Sequence, residues 1–598
     1  MLERLARWSG GNPASLAEIV RALKRAGVVR RRPGGGSFFV ATAELDALPP
    51  SPTWQWLAVR RLAALPPELA ACLRLLAVLG AAFSGEEVEG VQAAIEAAGG
   101  ASTSADAGAG LRALADEGLL TRAEGERYAF ANALVHDAVY ELVEPAQRLE
   151  VHRAALAHFR SQVARDATAD ALDRLARHAI AAGARDEAAD AHLRLGDMAA
   201  AKHRHVEADQ HYTAALAAAE DGDARRRARA LGWRGRSRVY IDRARDAVND
   251  LAEARALAAK AGETALVAEL LLEEATALDW LQEIERGAAC VAEARPLVEE
   301  SGSPVLAARL GVAEGRAAWR QGRLEESIVL LERGVAAAAQ AGDYPSRVIG
   351  LVCLSWQLSS AGRLDEAEAR FEEVVALTEA AGDLVHLCVA YINRRQLWVA
   401  RHEPNRAIDD LKRAIALTRE IGNPMVERFG CYNVAELLYW GGRSDEALDL
   451  AVRGRLLDER FLDRPESWGP IVLARIHLDR GEYEQAQALV TWIDEHEPQD
   501  LSEDSGVAVP RLRLVGLIKL VLAEVTGRGE TTRAWDETVT VARSSDEPND
   551  LLEVLFWRAR MALRRGALGE AAAARAEAGA HLAASTLWRP RFDSLFEV

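Results

Sequence analysis

The sequence predicts an all-α chain in two parts: a helical segment with one small β-hairpin, then an α-solenoid of helical hairpins with a period of about 40 residues. Three observations predict it. Alanine and leucine dominate while strand formers are scarce. Seven turn motifs recur at near-constant spacing, with glycines punctuating the chain midway between them. A chain of 598 residues is also too long for a single core, so several domains or a repeat array are required.

The chain opens on WSGGNPASLAEIVRAL (8–23), a Gly-Gly turn followed by a well-marked helix start. Asn12 suits the N-cap and Pro13 the first helical position, while Leu16, Ile19, Val20 and Leu23 form one apolar stripe that Gly27 closes. The Gly-rich RRRPGGGSFF (30–39) that follows reads as a flexible linker, within residues 29–53.

Residues 54–162 form a domain of different texture. WQWLAVRRLAALPPELAACLRLLAVLG (54–80) is two helices broken at Pro66 and Pro67. Ser84, with Glu87 three residues on, makes a capping box that starts the next helix. A helix at 109–117 then leads into LLTR and RYAF, two short runs around a Gly-containing turn. Helices followed by a small hairpin are the plan of a winged helix. Its groove-reading helix would be GAGLRALADEGLL (108–120), where Arg112 stands against Asp116 and Glu117, so phosphate would be repelled and DNA is a disfavoured partner.

Residues 163–490 hold the repeats. The turns are DRARDA (242–247), QEIERG (282–287), GRLEES (322–327), GRLDEA (362–367), HEPNRA (402–407), GRSDEA (442–447) and GEYEQA (481–486), with starts 40, 40, 40, 40, 40 and 39 residues apart. Each ends on a small residue: Ala247, Gly287, Ser327, Ala367, Ala407, Ala447 and Ala486, with Ala208 one repeat earlier. A small side chain at fixed phase lets two antiparallel helices approach just after the turn. Gly222, Gly262, Gly302, Gly342, Gly382 and Gly422 fall half a period out of phase, where a left-handed C-terminal glycine would end each second helix. Between the markers the apolar residues follow three-and-four spacing, as in Ala367, Phe371, Val374, Val375 and Leu377. Tyr240, Trp280, Trp319, Trp356, Trp398 and Trp440 precede the turns. They read as core wedges between stacked hairpins, with the five tryptophans as the candidates for protein contact otherwise. The pattern resembles the tetratricopeptide repeat in a long form. Residues 491–598, with GRGETTRAW (527–535) and RRGALGEAAAA (564–574), read as degenerate hairpins that cap the stack.

Composition excludes several functions. A net charge of −17 argues against general nucleic-acid binding, and no apolar run is long enough to cross a membrane or to serve as a signal peptide, so a cytoplasmic protein is expected. Cys72, Cys290, Cys353, Cys388 and Cys431 lie far apart and read as small core residues, without metal or disulfide spacing. His203, His205 and His211 cluster around one turn, but their spacing fits no standard metal site and they read as solvated. No P-loop, G-x-S-x-G, H-E-x-x-H or dinucleotide fingerprint occurs, so the chain by itself is expected not to be an enzyme.

Taken in order, SGGNPASLAEI, LAALPPELAACLRLLAVLG, the LLTR and YAF hairpin, ALVHDAVYELVEPAQRLEVHRAAL and the repeats resemble the C-terminal two thirds of the signal-transduction ATPases with numerous domains (STAND). These large regulators are related to the maltose-regulon activator and to bacterial kinase-ATPase-repeat proteins. The resemblance implies that residues 1–28 are a remnant of the ATPase lid, with Gly11, Asn12 and Pro13 beside the adenine. It also implies a phosphate-sensing histidine where this chain has Asn132, which can donate a hydrogen bond but carries no charge. ATP or ADP would then be bound only if a P-loop domain were supplied, by a P-loop ATPase or a kinase-linked partner, with any output domain lying N-terminal. Two readings stay open: a non-catalytic sensor portion of such a regulator, binding a protein, peptide or small effector on its concave repeat face, or a stand-alone tetratricopeptide scaffold. A winged-helix transcriptional regulator is the weakest.

Overall fold

A computed structural model of the chain describes residues 61–100, 106–123, 127–219, 223–241, 243–461, 467–496, 508–527, 532–544, 548–582 and 585–597. Before residue 61 it describes Leu16, Val20, Leu23, Lys24, Val29–Arg31, Phe38–Val40 and Val59. The chain divides into two compact units: Met1–Met198 with Gln210–Arg226, and Ala199–Asp209 with Arg227–Val598.

In the first unit, β1 (Val29–Arg31) pairs antiparallel with β2 (Phe38–Val40), Arg30 opposite Phe39. The expectation of a plain linker at 29–53 is therefore corrected for these six residues. Two short valine- and phenylalanine-containing runs flank a Pro-Gly-rich stretch, which is itself a hairpin signature.

The core of this unit begins with α1 (Pro67–Leu79), started by Pro67 directly after Pro66. Next come β3 (Ala82–Ser84), α2 (Gly85–Ala97), α3 (Ala107–Asp116), β4 (Leu120–Arg122) and β5 (Arg127–Phe130). The capping box forms as the sequence predicts: Glu87 N–H donates to Ser84 Oγ at 3.1 Å and Ser84 N–H to Glu87 Oε2 at 2.8 Å. The three strands form one antiparallel sheet in the order β3-β5-β4, with Ala129 between Ala82 and Thr121. Strand β3 has no sequence signal because three residues between two helices are too few to show alternation. After α4 (Ala133–Leu142) and α5 (Pro145–Arg165), α6 (Ala169–Ala182) holds the first elements together. Arg174 donates to Ala82 O at 3.0 Å and to the buried Glu87 at 3.1 Å, and Arg177 to Leu79 O at 2.6 Å. Leu73, Leu76, Phe83, Val88, Val139 and Phe159 are fully buried at the centre.

The helical hairpins continue through α7 (Arg185–Ala200) and α8 (His205–Ala218), where a Cβ on Gly196 would come within 2.5 Å of the Tyr212 ring. Only glycine permits that crossing.

In the second unit each hairpin has a first and a second helix: α9 (Ala224–Val239) and α10 (Ala244–Lys260), α11 (Thr264–Trp280) and α12 (Ile284–Ser301), α13 (Pro304–Arg320) and α14 (Leu324–Ala341), α15 (Tyr344–Ser360) and α16 (Leu364–Ala381). There follow α17 (Leu384–Ala400) and α18 (Pro404–Ile421), α19 (Pro424–Trp440) and α20 (Ser444–Phe461), α21 (Trp468–Asp479) and α22 (Tyr483–His496). The last elements are α23 (Ala508–Val525), α24 (Thr532–Arg543), α25 (Pro548–Arg564), α26 (Leu568–Leu582) and α27 (Trp588–Phe596).

The small residues opening the second helices are buried without exception among Ala247, Gly287, Ser327, Ala367, Ala407, Ala447 and Ala486. Gly302, Gly342, Gly382 and Gly422 take the left-handed C-terminal conformation, whereas Gly222 lies outside the described residues. The hairpin turns also need one left-handed residue. Gly322, Gly362, Gly442 and Gly481 supply it with φ of 73 to 76°, but His203, Gln282 and His402 hold the same conformation without being glycine. Residues 508–597 add complete hairpins rather than loose ends: Trp535, Trp557, Trp588 and Phe592 are buried in the same core as Tyr439 and Ile476.

A polar cavity on the first helices

The first helices of successive hairpins present equivalent positions to one space. Arg236, Thr276 and Arg316 are each 40 residues apart, as are Glu269, Arg309 and Ile349. In the second unit α9, α11, α13, α15 and α17 bring such residues around a cavity whose empty space, open mouth included, is about 750 Å³. Its lining includes His203, His205, Arg236, Tyr240, Glu273, Thr276, Arg309, Arg316, Tyr344, Asp383 and His386.

One wall is organised by Asp383, whose side chain is fully buried at the start of α17. It accepts hydrogen bonds from the His386 backbone N–H at 3.1 Å and from Tyr344 Oη at 3.0 Å, and lies 2.6 Å from His386 Nδ1. His203 Nδ1 is 3.6 Å away. Burial alone would raise this carboxyl, but the hydrogen bond from His386 and the charges of His386 and His203 outweigh it and hold the group down at about 2. Beside it the His205 ring stacks on Tyr240 at 4.3 Å, and Tyr240 meets His386 edge-on at 5.4 Å. Burial, helped by the neighbouring His203 and His386 charges, lowers His205 to about 3, so its imidazole is neutral. Asn423, which caps α19, donates its side-chain amide to Tyr240 O at 3.4 Å.

The opposite wall carries three arginines in unequal states. Arg309 is closed by Asp343 at 3.1 and 3.3 Å and by Glu269. Arg316 donates one N–H to Thr276 Oγ1 at 2.8 Å, but its buried Nε has no hydrogen-bond partner. Arg236 makes no hydrogen bond to any described residue; its nearest carboxylate is Glu273, at 3.8 Å. Among the described residues Glu273 has no other ion-pair partner, and burial pushes its carboxyl up. The Nδ1 of His205 is likewise buried without a partner. An unmade hydrogen bond to a buried polar group costs roughly 1–3 kcal/mol, and Arg316 Nε and His205 Nδ1 are two such atoms in this cavity.

The residues singled out by sequence fare unequally. Gly11, Asn12 and Pro13 lie outside the described residues. Asn132 is the N-cap of α4, its Oδ1 accepting the Leu134 N–H at 2.9 Å. Trp398 and Trp440 are core, and Trp398 donates to Asp410 at 2.7 Å. Trp319 and Trp356 are only half-buried, and Trp280 is 53% exposed, which corrects its reading as a core wedge. Trp280 sits in the last turn of α11, at the hairpin end, where nothing covers its ring. Tyr240 is also no wedge but a cavity wall.

The reading of the histidine cluster as solvated is overturned for His203 and His205, which face the cavity; His211 contacts His192, Nδ1 to Nδ1, at 3.4 Å. Arg236, Glu273, Arg309, Arg316, Tyr344, Asp383 and His386 were not foreseen. Their signal was available in the 40-residue register: one face of the first helices changes residue type from repeat to repeat while the residue opening each second helix stays small. Among the described residues no group of three or more histidines, cysteines or carboxylates is placed to hold a metal ion, and no helix is long and apolar enough to cross a membrane.

No family model matches this chain, and no curated protein matches it. Solved structures similar to it include a Signal Transduction ATPase with Numerous Domains protein with a tetratricopeptide repeat sensor from Pyrococcus horikoshii, 15% identical with a TM-score of 0.47. That match covers 74% of this chain and 66% of the other, so this chain spans just under two thirds of it. A Rap protein complexed with competence and sporulation factor is 13% identical with a TM-score of 0.37, covering 61% of this chain and 94% of that one. A human IFIT1 dimer with m7Gppp-AAAA is 14% identical with a TM-score of 0.35, covering 65% and 89%.

Proposed function

We propose that this chain is the non-catalytic sensor portion of a STAND-type signalling regulator, in which the repeat cavity binds an effector. The observation that carries the reading is the cavity itself. Its polar walls come from five successive first helices, and its hydrogen-bonding capacity is partly unspent at Arg236, Glu273, Arg316 and His205. A scaffold that only stacked hairpins would fill such a space with apolar side chains. The three-helix, three-stranded unit before the repeats is read as the winged helix of such a regulator, in the order the sequence resemblance implies.

Nucleotide is not assigned to this chain. The sequence holds no P-loop, and the amide oxygen of Asn132, the residue at the expected phosphate-sensing place, is engaged as a helix cap. The chain is then a binding protein rather than an enzyme, with a P-loop or kinase-linked protein as its partner. The test is affinity capture with the purified chain as bait, followed by ATP calorimetry on the chain alone and with whatever it captures. ATP binding that appears only with a captured P-loop protein supports the sensor reading. Heat from ATP with the chain alone would overturn the non-nucleotide assignment, and failure to capture any P-loop protein would leave the stand-alone scaffold as the better description.

A further inference from the structure

We propose that the cavity takes a free α-amino acid, gripped as a zwitterion, with Arg236 and Arg316 receiving its carboxylate and Glu273 its ammonium group. The inference rests on reading the cavity as the effector site and names the class of effector.

The argument is one of unspent chemistry at three neighbouring positions. Arg236 on α9, Glu273 on α11 and Arg316 on α13 belong to consecutive first helices and line the same space. Arg236 makes no hydrogen bond to any described residue, and the Trp233 ring, 4.9 Å from the guanidinium carbon, holds the side chain in place. Arg316 is anchored through one N–H to Thr276, and its buried Nε lies 3.5 Å from Asp279 Oδ2 without making a hydrogen bond. Guanidinium N–H groups of this kind match a carboxylate's two oxygens.

Charge then decides between classes of ligand. Facing or adjoining the cavity are Arg236, Arg309 and Arg316, with His203 and His386 beside Asp383, against Glu269, Glu273, Asp279, Asp343 and Asp383, so cationic and acidic groups are both present and neither sign fills the space alone. A simple dianion such as phosphate would set its charge against the Glu273 carboxylate and leave that group unmet. A simple cation would leave the arginine donors unmet. Glu273, with Arg236 only at 3.8 Å and with burial disfavouring its charge, gains most from a cation placed directly on it. A ligand carrying an ammonium and a carboxylate on one carbon satisfies both demands at once. His205 and the Tyr240 ring, stacked at 4.3 Å, offer a flat wall for its side chain.

The test is calorimetry of the full chain against the standard free L-amino acids one at a time, and then against the N-acetyl and carboxamide derivatives of the tightest binder, with inorganic phosphate as a separate titrant. One or more free amino acids should bind, and each blocked derivative should lose roughly ten- to a hundredfold in affinity, the worth of one charge-assisted contact. Glu273→Gln should weaken the free amino acid but leave the N-acetyl derivative unchanged. Arg236→Gln and Arg316→Gln should do the same for the carboxamide. If no free amino acid binds at millimolar concentration, or blocked and free forms bind alike, or phosphate alone binds, the inference is overturned. Such a result leaves the P-loop capture experiment untouched, and a failed capture leaves amino-acid binding untouched, so the two readings fail separately.

Discussion

The two ends of the repeat array treat a first-helix arginine in opposite ways. Toward the C-terminus, Arg475 of α21 is 2% exposed and fully enclosed by carboxylates: Glu553 of α25 takes its Nε at 2.8 Å and one terminal nitrogen, and Glu436 of α19 takes the other at 2.8 Å. Glu553 also accepts from Tyr439 Oη at 2.8 Å and Trp440 Nε1 at 3.4 Å. Toward the N-terminal end of the same array, Arg236 and Arg316 face a cavity with much of their capacity unused. Both sets of side chains come from the same first-helix face, since Glu436 stands five 40-residue steps after Arg236. What differs is the partner. Where α25 contributes Glu553 the charges close on one another, and at Arg236 and Arg316 part of the hydrogen-bonding capacity remains available. A closed buried network specifies structure, and an open one leaves capacity that a ligand could use.

That contrast is breakable, most strongly at the closed end. Glu553→Leu should cost about 3–5 kcal/mol, read as a fall in the denaturant midpoint, because it leaves Arg475 buried with only Glu436. The open end should respond far less. Arg236→Ala removes no hydrogen bond within the chain and should cost about 1 kcal/mol or less in the same measurement; a loss as large as that of Glu553→Leu would show that Arg236 is structural after all.

Acid titration sharpens the cavity side. Asp383 is held down at about 2, so its stabilisation is complete above the usual carboxylate range near 4 and is lost as pH falls toward 2. His205, lowered to about 3, is neutral in the fold but charges near 6.5 when unfolded, so it too costs stability as pH falls from about 6.5 to 3. In both cases the unfolded chain binds more protons. Stability should therefore fall on acidification across these windows, and the slope below pH 6.5 should be shallower in His205→Gln; an unchanged slope would contradict its buried, neutral state.

The smallest effect concerns the turns. Gly322→Ala puts a Cβ on a residue at φ 75° with no neighbour in the way, and should cost about 1 kcal/mol from backbone strain alone. Gln282→Gly, at the equivalent turn with φ 59°, should be neutral or gain a few tenths of a kcal/mol in thermal unfolding.

Much of the fold was legible because repetition is a local signal. The small residue after each turn and the glycine ending each second helix mark contacts between helices adjacent in sequence, and Ser84 with Glu87 marks a cap closed within four residues. The cavity was not legible in the same way. Asp343 and Asp383 follow Gly342 and Gly382 and look like helix-cap punctuation, yet Asp343 also closes Arg309 and Asp383 also gathers His386, Tyr344 and His203. Arg236 and Arg316 look like ordinary solvated helix charges, and nothing local distinguishes them from Arg323, which pairs within its own turn with Glu326.

The sequence alone determined that this is a helical repeat protein, where its hairpins turn, and that it carries no recognisable catalytic motif, because periodicity, glycine geometry and motif spacing are properties of the chain taken a few residues at a time. The tertiary structure decided which charges would neutralise one another and which would be left open. That depends on groups such as His203 and Asp383, or Arg475 and Glu553, which lie many helices apart in sequence and meet only when the array is folded.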